Sequence, residues 1–509
     1  MTIHEKGDCM NNNVAIGKTT SSDSSYPGHM PDNVIDGRPD TYWTPADNAP
    51  GHWWKIDLGS EIYINEILVT WVRADKVRYK LELSFDDRNW INASDILEYA
   101  IEDNNIRHII NSRARYVRIT LVDGLPQGQQ SGISNVTIFQ GQPAEFICGA
   151  DVSHLLQIED FGGKFYDRQG REQDCLQILK DHGVNYIRLK LWNKPGLPLS
   201  DPAGYNDKAH VMEMARRVKE MGFKLLLDFH YSDWWADPGK QTMPKDWEGL
   251  DFPELEKALY DFTYDVVKSL ADQGTTPDMV QVGNEISNGM LWDVAKISDE
   301  FNTDSQWDKF CILLKSGMRA VKDVKSSIRT VIHIERSGDN AASVYFFDNL
   351  TKRNVEFDVI GLSYYSIWHG PVSVFSHNVF DLAKRYDKDI LIVETAYPYT
   401  EENGDDTPNS TSTPYTRLLP EYPPTIQGQA NNLQAVASVV KKIPNGKGLG
   451  FFYWEPAFIP VEGAGWKYGE GSEWDDQTLF DFNGHALWSL DVFRMHAPNM
   501  PSIKNKPMP

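Results

Sequence analysis

Glu285 and Glu394 each close a short apolar, β-branched run: Met279-Val280-Gln281-Val282-Gly283-Asn284-Glu285-Ile286 and Ile390-Leu391-Ile392-Val393-Glu394-Thr395. Runs of this kind read as buried parallel strands. A carboxylate at such a strand end costs free energy to remove from water, so it needs a reason to be there. The chemistry that two such groups suit is cleavage of a glycosidic bond. One carboxylic acid protonates the leaving oxygen while a carboxylate acts at the anomeric carbon. The plainer reading gives each Glu an Arg or Lys partner at a strand end. Two glutamates delivered to one rim favour the catalytic reading.

The elements that must position this pair follow from the same stretch. From about residue 146 the chain alternates apolar runs with long amphipathic segments. Candidate strands lie at Phe146–Ser153, Tyr186–Trp192, Lys224–Tyr231, Met279–Ile286, Arg329–Ile334, Asp358–Tyr365, Asp389–Thr395 and Leu449–Trp454. Between them, Ala209–Met221, Pro253–Ala271, Trp307–Val324, Val372–Tyr386 and Ala430–Lys442 read as helices. In the first of these Val211, Met214, Ala215 and Val218 share one face at i, i+3, i+4 spacing. Eight alternations over roughly 350 residues predict a (β/α)₈ TIM barrel.

Polar residues crowd the C-terminal ends of these strands: Asp151, Arg188, Asp228, His230, Asn284-Glu285, His333, Tyr364-Tyr365, Glu394 and Trp454-Glu455. In this fold that rim carries the active site. Glu285 and Glu394, on the fourth and seventh strands, then face each other across the barrel mouth. Arg188 near Glu394 is expected to lower its pKa and keep it ionised, with Tyr365 bonded to the same carboxylate. Asn284 suits the sugar 2-hydroxyl. His230 and Trp454 are expected to line the sugar subsite, the indole offering a flat face. Asp228 and Glu455 read as supports of the mouth. No HExxH or similar ligand spacing points to metal-based catalysis.

The composition agrees with a carbohydrate-active protein. With 72 Asp+Glu against 50 Lys+Arg the net charge is −22, which disfavours nucleic acid and anionic membrane as partners. The chain holds 16 Trp and 22 Tyr, residues that stack on sugar rings as readily as they fill a core. Cys9, Cys148, Cys175 and Cys311 show neither metal spacing nor a disulfide framework. No apolar run reaches the roughly 20 residues of a membrane helix. The opening MTIHEKGDCM lacks the apolar region of a signal peptide.

Residues 11–141 read differently. Short alternating runs at Glu61–Trp71, Lys76–Ser84, Ile106–Ile110 and Tyr116–Val122 lie between clusters of Gly, Pro, Asn and Asp, the pattern of an all-β domain. Asp36-Gly37, Asp40-Thr41-Tyr42-Trp43, Trp53-Trp54-Lys55-Ile56-Asp57-Leu58-Gly59, Ser84-Phe85-Asp86-Asp87-Arg88-Asn89-Trp90 and Arg115-Tyr116-Val117-Arg118-Ile119 occur in that order. Together they resemble the discoidin-like (F5/8 type C) family, which includes many carbohydrate-binding modules. The resemblance implies a jelly-roll sandwich, in many members with a calcium near the Asp36–Thr41 turn. Asn135 stands where that family often has the Glu closing this site. Gln140-Gly141-Gln142-Pro143 is the expected linker.

Further motifs mark the barrel. They include Gly149-Ala150-Asp151-Val152-Ser153, the string from Asp228 to Gln241 (DFHYSDWWADPGKQ) and Gly283-Asn284-Glu285-Ile286. Ser363-Tyr364-Tyr365 with Trp368-His369-Gly370, Glu394-Thr395-Ala396-Tyr397-Pro398, Phe452-Tyr453-Trp454-Glu455-Pro456 and Trp474-Asp475-Asp476-Gln477 complete the set. From about 146 to 495 the chain resembles the family 53 glycoside hydrolases, endo-β-1,4-galactanases. The resemblance implies retaining hydrolysis within β-1,4-galactan, as in the type I arabinogalactan side chains of pectin. It makes Glu285 the acid/base and Glu394 the nucleophile. It adds Asp151, Trp235 and Trp368 to Asn284, Arg188, His230, Tyr365 and Trp454 as substrate-binding residues. Lys190–Pro195 and His333–Gly338 depart from the family's usual sequence.

Glu402-Asn403-Gly404-Asp405-Asp406-Thr407-Pro408-Asn409 is dense in oxygen donors and bent at Gly404, as a hard cation requires. Some galactanases of this kind clamp the loops after strands seven and eight with calcium. Carried over, the ligands are Asn403, Asp405, Thr407, Asn409, Ser472 and Asp475, a structural site without a part in catalysis. Asn403 stands where an Asp is common. The expectation is an N-terminal all-β jelly-roll sandwich (11–141) and a C-terminal (β/α)₈ barrel (146–495), a monomer that is secreted, cell-surface or periplasmic. The rivals are a mannanase or glucanase of the same clan, and a binding protein on a barrel that no longer cuts.

Overall fold

The computed structural model describes residues 13–73, 78–100, 103–125, 131–196, 204–498 and 500. Cys9 and the sequence expectations for residues 11–12 and 76–77 lie outside them. The chain divides into two compact units: Met1–Glu145 with Ala430–Ser438 and Asp491–Pro509, and Phe146–Gln429 with Val439–Leu490.

The first unit carries β1 (Thr19–Ser22), β2 (Trp53–Trp71), β3 (Arg78–Ser84), β4 (Ile91–Asn92), β5 (Tyr99–Ala100), β6 (Asn105–Leu121) and β7 (Ile133–Gln140). Along β2 Trp54, Ile56 and Leu58 are buried while Trp53, Lys55 and Asp57 are partly exposed. That is the period-two pattern of a sheet with one inward face. β2 pairs antiparallel with β1, β6 and β7, and β6 with β3. The runs expected as separate strands at Ile106–Ile110 and Tyr116–Val122 are the single strand β6. Its polar middle stays on the ladder because a register shift sets Ser112 opposite Ile64 and Ala114 opposite Ile62. Asn111 takes up the irregularity with a positive φ of 51°, a conformation its short polar side chain tolerates.

The second unit is the predicted barrel. Its strands are β8 (Ile147–Asp151), β9 (Tyr186–Leu191), β10 (Lys224–Phe229), β11 (Met279–Val282), β14 (Arg329–Ile334), β15 (Val359–Ser363), β16 (Asp389–Thr395) and β17 (Gly448–Trp454). A small hairpin of β12 (Gly289–Met290) and β13 (Ala295–Lys296) lies outside the closed ring. All eight neighbouring pairs in the ring are parallel. Tyr186, Leu226, Met279, Val331, Val359, Leu391, Val393 and Phe452 pack as one buried apolar cluster. Side chains two residues apart on a strand share a face. One pleat above that cluster, the same face therefore carries Arg188, Asp228, Gln281 and His333, all buried. This polar layer is the floor of the barrel mouth.

The predicted helices are present as Lys208–Glu220, Phe252–Asp272, Asp304–Val324, Val372–Tyr386 and Ile426–Lys441. Asp207, Asp251 and Thr303 cap the first three by accepting from backbone N–H groups, Asp251 in a reciprocal box with Glu254. Cys175–Asp181 and Asn340–Lys352 are additional helices. Cys148, Cys175 and Cys311 are buried thiols.

Candidate active site

Two local departures from strand geometry aim the paired glutamates. β11 ends at Val282, short of the expected Ile286. Gly283 turns the chain with φ 89°, and Glu285 adopts the left-handed region at φ 48°, ψ 51°. On the far side, the pairing of β15 with β16 shifts by one residue, so Ser363 stands opposite Glu394 instead of Val393. Such irregularities re-aim side chains at functional rims. Ser363 Oγ donates to Glu285 Oε1 at 2.6 Å and lies 3.4 Å from Glu394 Oε2. The two carboxylate oxygens are therefore no further apart than the sum of those lengths.

Glu394 is held from two directions. Its Oε1 lies 2.9 Å from Arg188 Nη1 and its Oε2 accepts from Tyr365 Oη at 2.9 Å. Arg188 is fully buried and also donates to Asp151 Oδ2 at 2.7 Å, Asp228 Oδ2 at 2.8 Å and Asn284 Oδ1 at 3.0 Å. Asn284 Nδ2 donates to the Ala236 carbonyl, which fixes the amide against the cavity wall.

The electrostatics separate the two glutamates. Burial, with Glu394 and Glu335 nearby, holds Glu285 well above the usual carboxylate range. Burial also pushes Glu394 up, but Arg188 pulls against it and leaves it at about 7. The sequence expectation that Arg188 would lower this carboxyl holds for its own contribution; desolvation outweighs it. Arg188 lies against Glu394, whereas the charged groups acting on Glu285 are carboxylates, so the anion is favoured on Glu394 and the proton on Glu285, the arrangement in which one of two carboxyls serves as acid and the other as anion.

A cavity of about 1020 Å³ opens above the pair, and Glu285, Glu394, Asn284, Tyr365, Trp235, Trp368 and Trp454 line it. Asp151, Arg188 and His230, expected in contact with substrate, do not. All three are buried behind its wall: Asp151 and Arg188 pair with each other, and His230 accepts from Ala236 N and lies 3.1 Å from Asp228. Arg188 is the hub that holds five polar groups of the mouth, Asp151, Asp228, Gln281, Asn284 and Glu394, and its burial keeps it from the cavity. Asp228 and Glu455 are buried supports, as expected.

Several site residues were given no role in the sequence reading, although Trp474 and Lys190 stand in segments it quoted. Trp466 and Trp474 complete the aromatic wall, with ring centroids 5.4 Å from Trp235 and 4.5 Å from Trp454. They lie on the long loop after β17, where no periodicity marks them. Beneath the wall Lys190 Nζ sits 4.5 Å from the Trp235 ring and 2.9 Å from Glu455 Oε1, with His154 Nδ1 2.7 Å from the same oxygen. Against the upward push of burial, Lys190 and His154 bring Glu455 down to about 2. The signal for Lys190 was available: it continues the inward face Tyr186, Arg188, Lys190 of β9.

The six oxygen-bearing residues after β16 and β17 also come together. Asp405 accepts from Thr407 N at 2.7 Å and Ser472 N at 2.8 Å, and Asp475 Oδ2 accepts from Gly404 N at 2.9 Å. Asn403 Nδ2 donates to the Thr407 carbonyl at 2.6 Å. Asn409 Oδ1 and Asp475 Oδ1 are buried with no hydrogen-bond partner. Among the described residues no cluster of three or more His, Cys, Asp or Glu is placed to hold a metal; here two carboxylates are joined by amide and main-chain oxygens.

A closed parallel barrel whose C-terminal mouth holds one buried and one half-buried carboxyl under a tryptophan-walled cavity defines a glycoside hydrolase. Residues 147–493 match glycosyl hydrolase family 53, and residues 18–137 match the F5/8 type C domain. Among relatives, "Endo-beta-1,4-galactanase" of Bacillus subtilis is 37% identical over 390 residues, 70% of this chain and 87% of that protein. "Arabinogalactan endo-beta-1,4-galactanase" of Cellvibrio japonicus is 35% identical over 359 residues, 69% of this chain and 90% of that protein. The solved "Ignisphaera aggregans GH53 catalytic domain" superposes with a TM-score of 0.66 at 44% identity, covering 70% of this chain and 97% of that one. The chain belongs to glycosyl hydrolase family 53.

Proposed function

We propose that this enzyme hydrolyses β-1,4-galactosidic linkages within galactan, including the type I arabinogalactan side chains of pectin, with retention of configuration. The observation that carries the reading is the hydroxyl of Ser363 reaching both glutamates, at 2.6 and 3.4 Å. One hydroxyl touching an oxygen of each carboxyl favours the close spacing of a retaining pair over the roughly 6.5–9.5 Å that an inverting pair needs to admit a water between them. The names of the two relatives above supply the polymer.

In this mechanism the Glu394 carboxylate attacks the anomeric carbon while the Glu285 carboxylic acid protonates the departing oxygen. The glycosyl–Glu394 ester forms as the glycosidic bond breaks. Glu285, now ionised, takes a proton from water; the oxygen attacks the same carbon and frees Glu394. Arg188 and Tyr365 hold Glu394 in its ionised form and act from behind the wall. Asn284 meets the sugar 2-hydroxyl with the amide hydrogen that Ala236 leaves unused. Trp235, Trp454 and Trp368 offer ring faces, and Trp368, 38% exposed, stands at the mouth, where an internal segment of polymer passes.

Calcium is the ion that the loop chemistry favours. Asp405, Asp475, Asn409, the Thr407 carbonyl, Asn403 and Ser472 supply only oxygen, and the unpartnered Asn409 Oδ1 and Asp475 Oδ1 suit a hard cation. Its role is to tie the loop after β16 to the loop after β17, which carries Trp466 and Trp474. A polymeric substrate calls for an enzyme outside the cytoplasm, acting as a monomer. Among the described residues no helix is long and apolar enough to cross a membrane.

The test is the product profile on linear β-1,4-galactan beside mannan and β-glucan, for wild type and Glu285→Ala. Galacto-oligosaccharides from wild type alone are expected. Cleavage of mannan or β-glucan in preference would overturn the substrate, and no cleavage of any polymer would leave the barrel a binder.

A further inference from the structure

The strand-six hydroxyl that reaches both carboxyls has a third neighbour. Ser363 Oγ lies 2.7 Å from His333 Nε2, and Ser363 and His333 are both fully buried. His333 Nδ1 is 3.0 Å from both Gln281 Nε2 and Asn284 Oδ1, and faces Glu285 N at 3.4 Å. The main-chain N–H of Glu285 can only donate, and Asn284 Oδ1 already accepts from Arg188 and Gln281, so Nδ1 is assigned as the acceptor. Burial keeps the imidazole neutral, which places its one N–H on Nε2, toward Ser363. The serine oxygen thus takes a hydrogen bond from His333, and its single hydrogen is left for a glutamate. Glu394 already holds Arg188 and Tyr365. At 2.6 against 3.4 Å the hydrogen goes to Glu285.

We infer that Ser363, oriented by His333, is a positioning residue that makes Glu285 a better acid in the first half of the reaction. This rests on the acid/base reading of Glu285. A hydrogen bond to a carboxylate is about twice as strong as one to a neutral carboxyl group. The bond from Ser363 therefore tightens as Glu285 releases its proton to the leaving oxygen. It stays in place while the ionised Glu285 waits to activate water. The same hydroxyl cannot serve Glu394 meanwhile, and Glu394 then needs no donor, being esterified. The other groups that face Glu285 all disfavour its ionisation: Glu394 on β16, Glu335 after β14 and Asp237 on the loop after β10. Among the groups with the largest effect on Glu285, Ser363 is the one that favours ionisation.

The experiment compares wild type, Ser363→Ala and Ser363→Cys on two substrates: linear β-1,4-galactan, and a dinitrophenyl β-1,4-galactobioside whose leaving group needs no proton. For Ser363→Ala, kcat/KM on galactan is expected to fall roughly tenfold, the order of one hydrogen bond to a charged group. KM is expected to hold. The alkaline limb of kcat/KM, which reports the acid of the free enzyme, moves to higher pH by about one unit. On the dinitrophenyl substrate the loss is expected to stay within about twofold, because the step that needs the acid is bypassed. Ser363→Cys, a weaker donor of similar shape, falls between. Equal losses on both substrates, or an alkaline limb that does not move, would overturn the inference and make Ser363 a packing residue. Wild type inactive on both substrates would overturn the reading of the whole site, and this inference with it.

Discussion

Tyr365 gives the most direct access to the chemistry of a single residue. Its hydroxyl donates to Glu394 at 2.9 Å and favours the ionised form. Replacement by Phe removes that donor and keeps the ring against Trp368 and Trp474. The pKa of Glu394, already about 7, must then rise, since the charged form has lost support. The acid limb of kcat/KM for Tyr365→Phe is expected to move to higher pH by about one unit, with a roughly tenfold loss below it. A pH–rate profile on a soluble galacto-oligosaccharide checks this, and an unmoved limb would assign it to another group. The two glutamates were legible in the sequence because each ends an apolar run, where an acidic residue is conspicuous. Ser363 and Lys190 stood in quoted segments and Gln281 in the fourth strand, but none was given its part beside the carboxyls. Their meaning depends on which strands become neighbours in the ring and on a one-residue shift between β15 and β16, and neither is written in a local pattern. Arg188, His230 and Asp151 were found at the correct rim but on the wrong side of its wall, since position along a strand fixes depth and not exposure to a ligand.

At the scale of elements, the barrel was readable because parallel strands buried on both faces are nearly continuous apolar runs and their helices carry the 3.6-residue stripe. Five helices and eight strands follow from those two periods. The helix Asn340–Lys352 is rich in aromatic and β-branched residues, SVYFF at its centre, and such composition speaks for strand as much as helix. In the first unit the split reading of β6 came from the polar stretch Asn111–Arg115, which pairs through a register shift that composition cannot report. The loops after β16 and β17 belong to this scale as well. If calcium joins them, chelation with EDTA is expected to lower the melting temperature by about 5 °C, a loss of the order that a ligand at roughly a hundred times its Kd provides. Calcium should restore it, and magnesium, which demands a tighter octahedron, should not. Calorimetry with and without chelator decides, and an unchanged melt would reduce these residues to a polar loop closed by its own hydrogen bonds. Activity on polymer should fall with the melt, because Trp466 and Trp474 ride on the clamped loop.

For the whole molecule, the backbone at Glu285 has a consequence for durability. A non-glycine residue in the left-handed region costs of order 1–3 kcal/mol when the surroundings impose it. Tyr231 and Glu455, just past the ends of β10 and β17, share that conformation with φ 51° and 48°. The barrel mouth is thus locally wound against its own preference at three points, one of them the proposed acid/base. Glycine adopts such angles freely, and Glu285→Gly would also remove a half-buried carboxyl. Scanning calorimetry without substrate is expected to show Glu285→Gly melting about 2–4 °C above wild type, the shift that roughly 1 kcal/mol brings to a domain of a few hundred residues. A lower melt would place the tension elsewhere. The disabled protein should then be the longer-lived one on a warm shelf. A screen that ranked variants by heat tolerance alone would climb steadily toward chains that no longer cut anything.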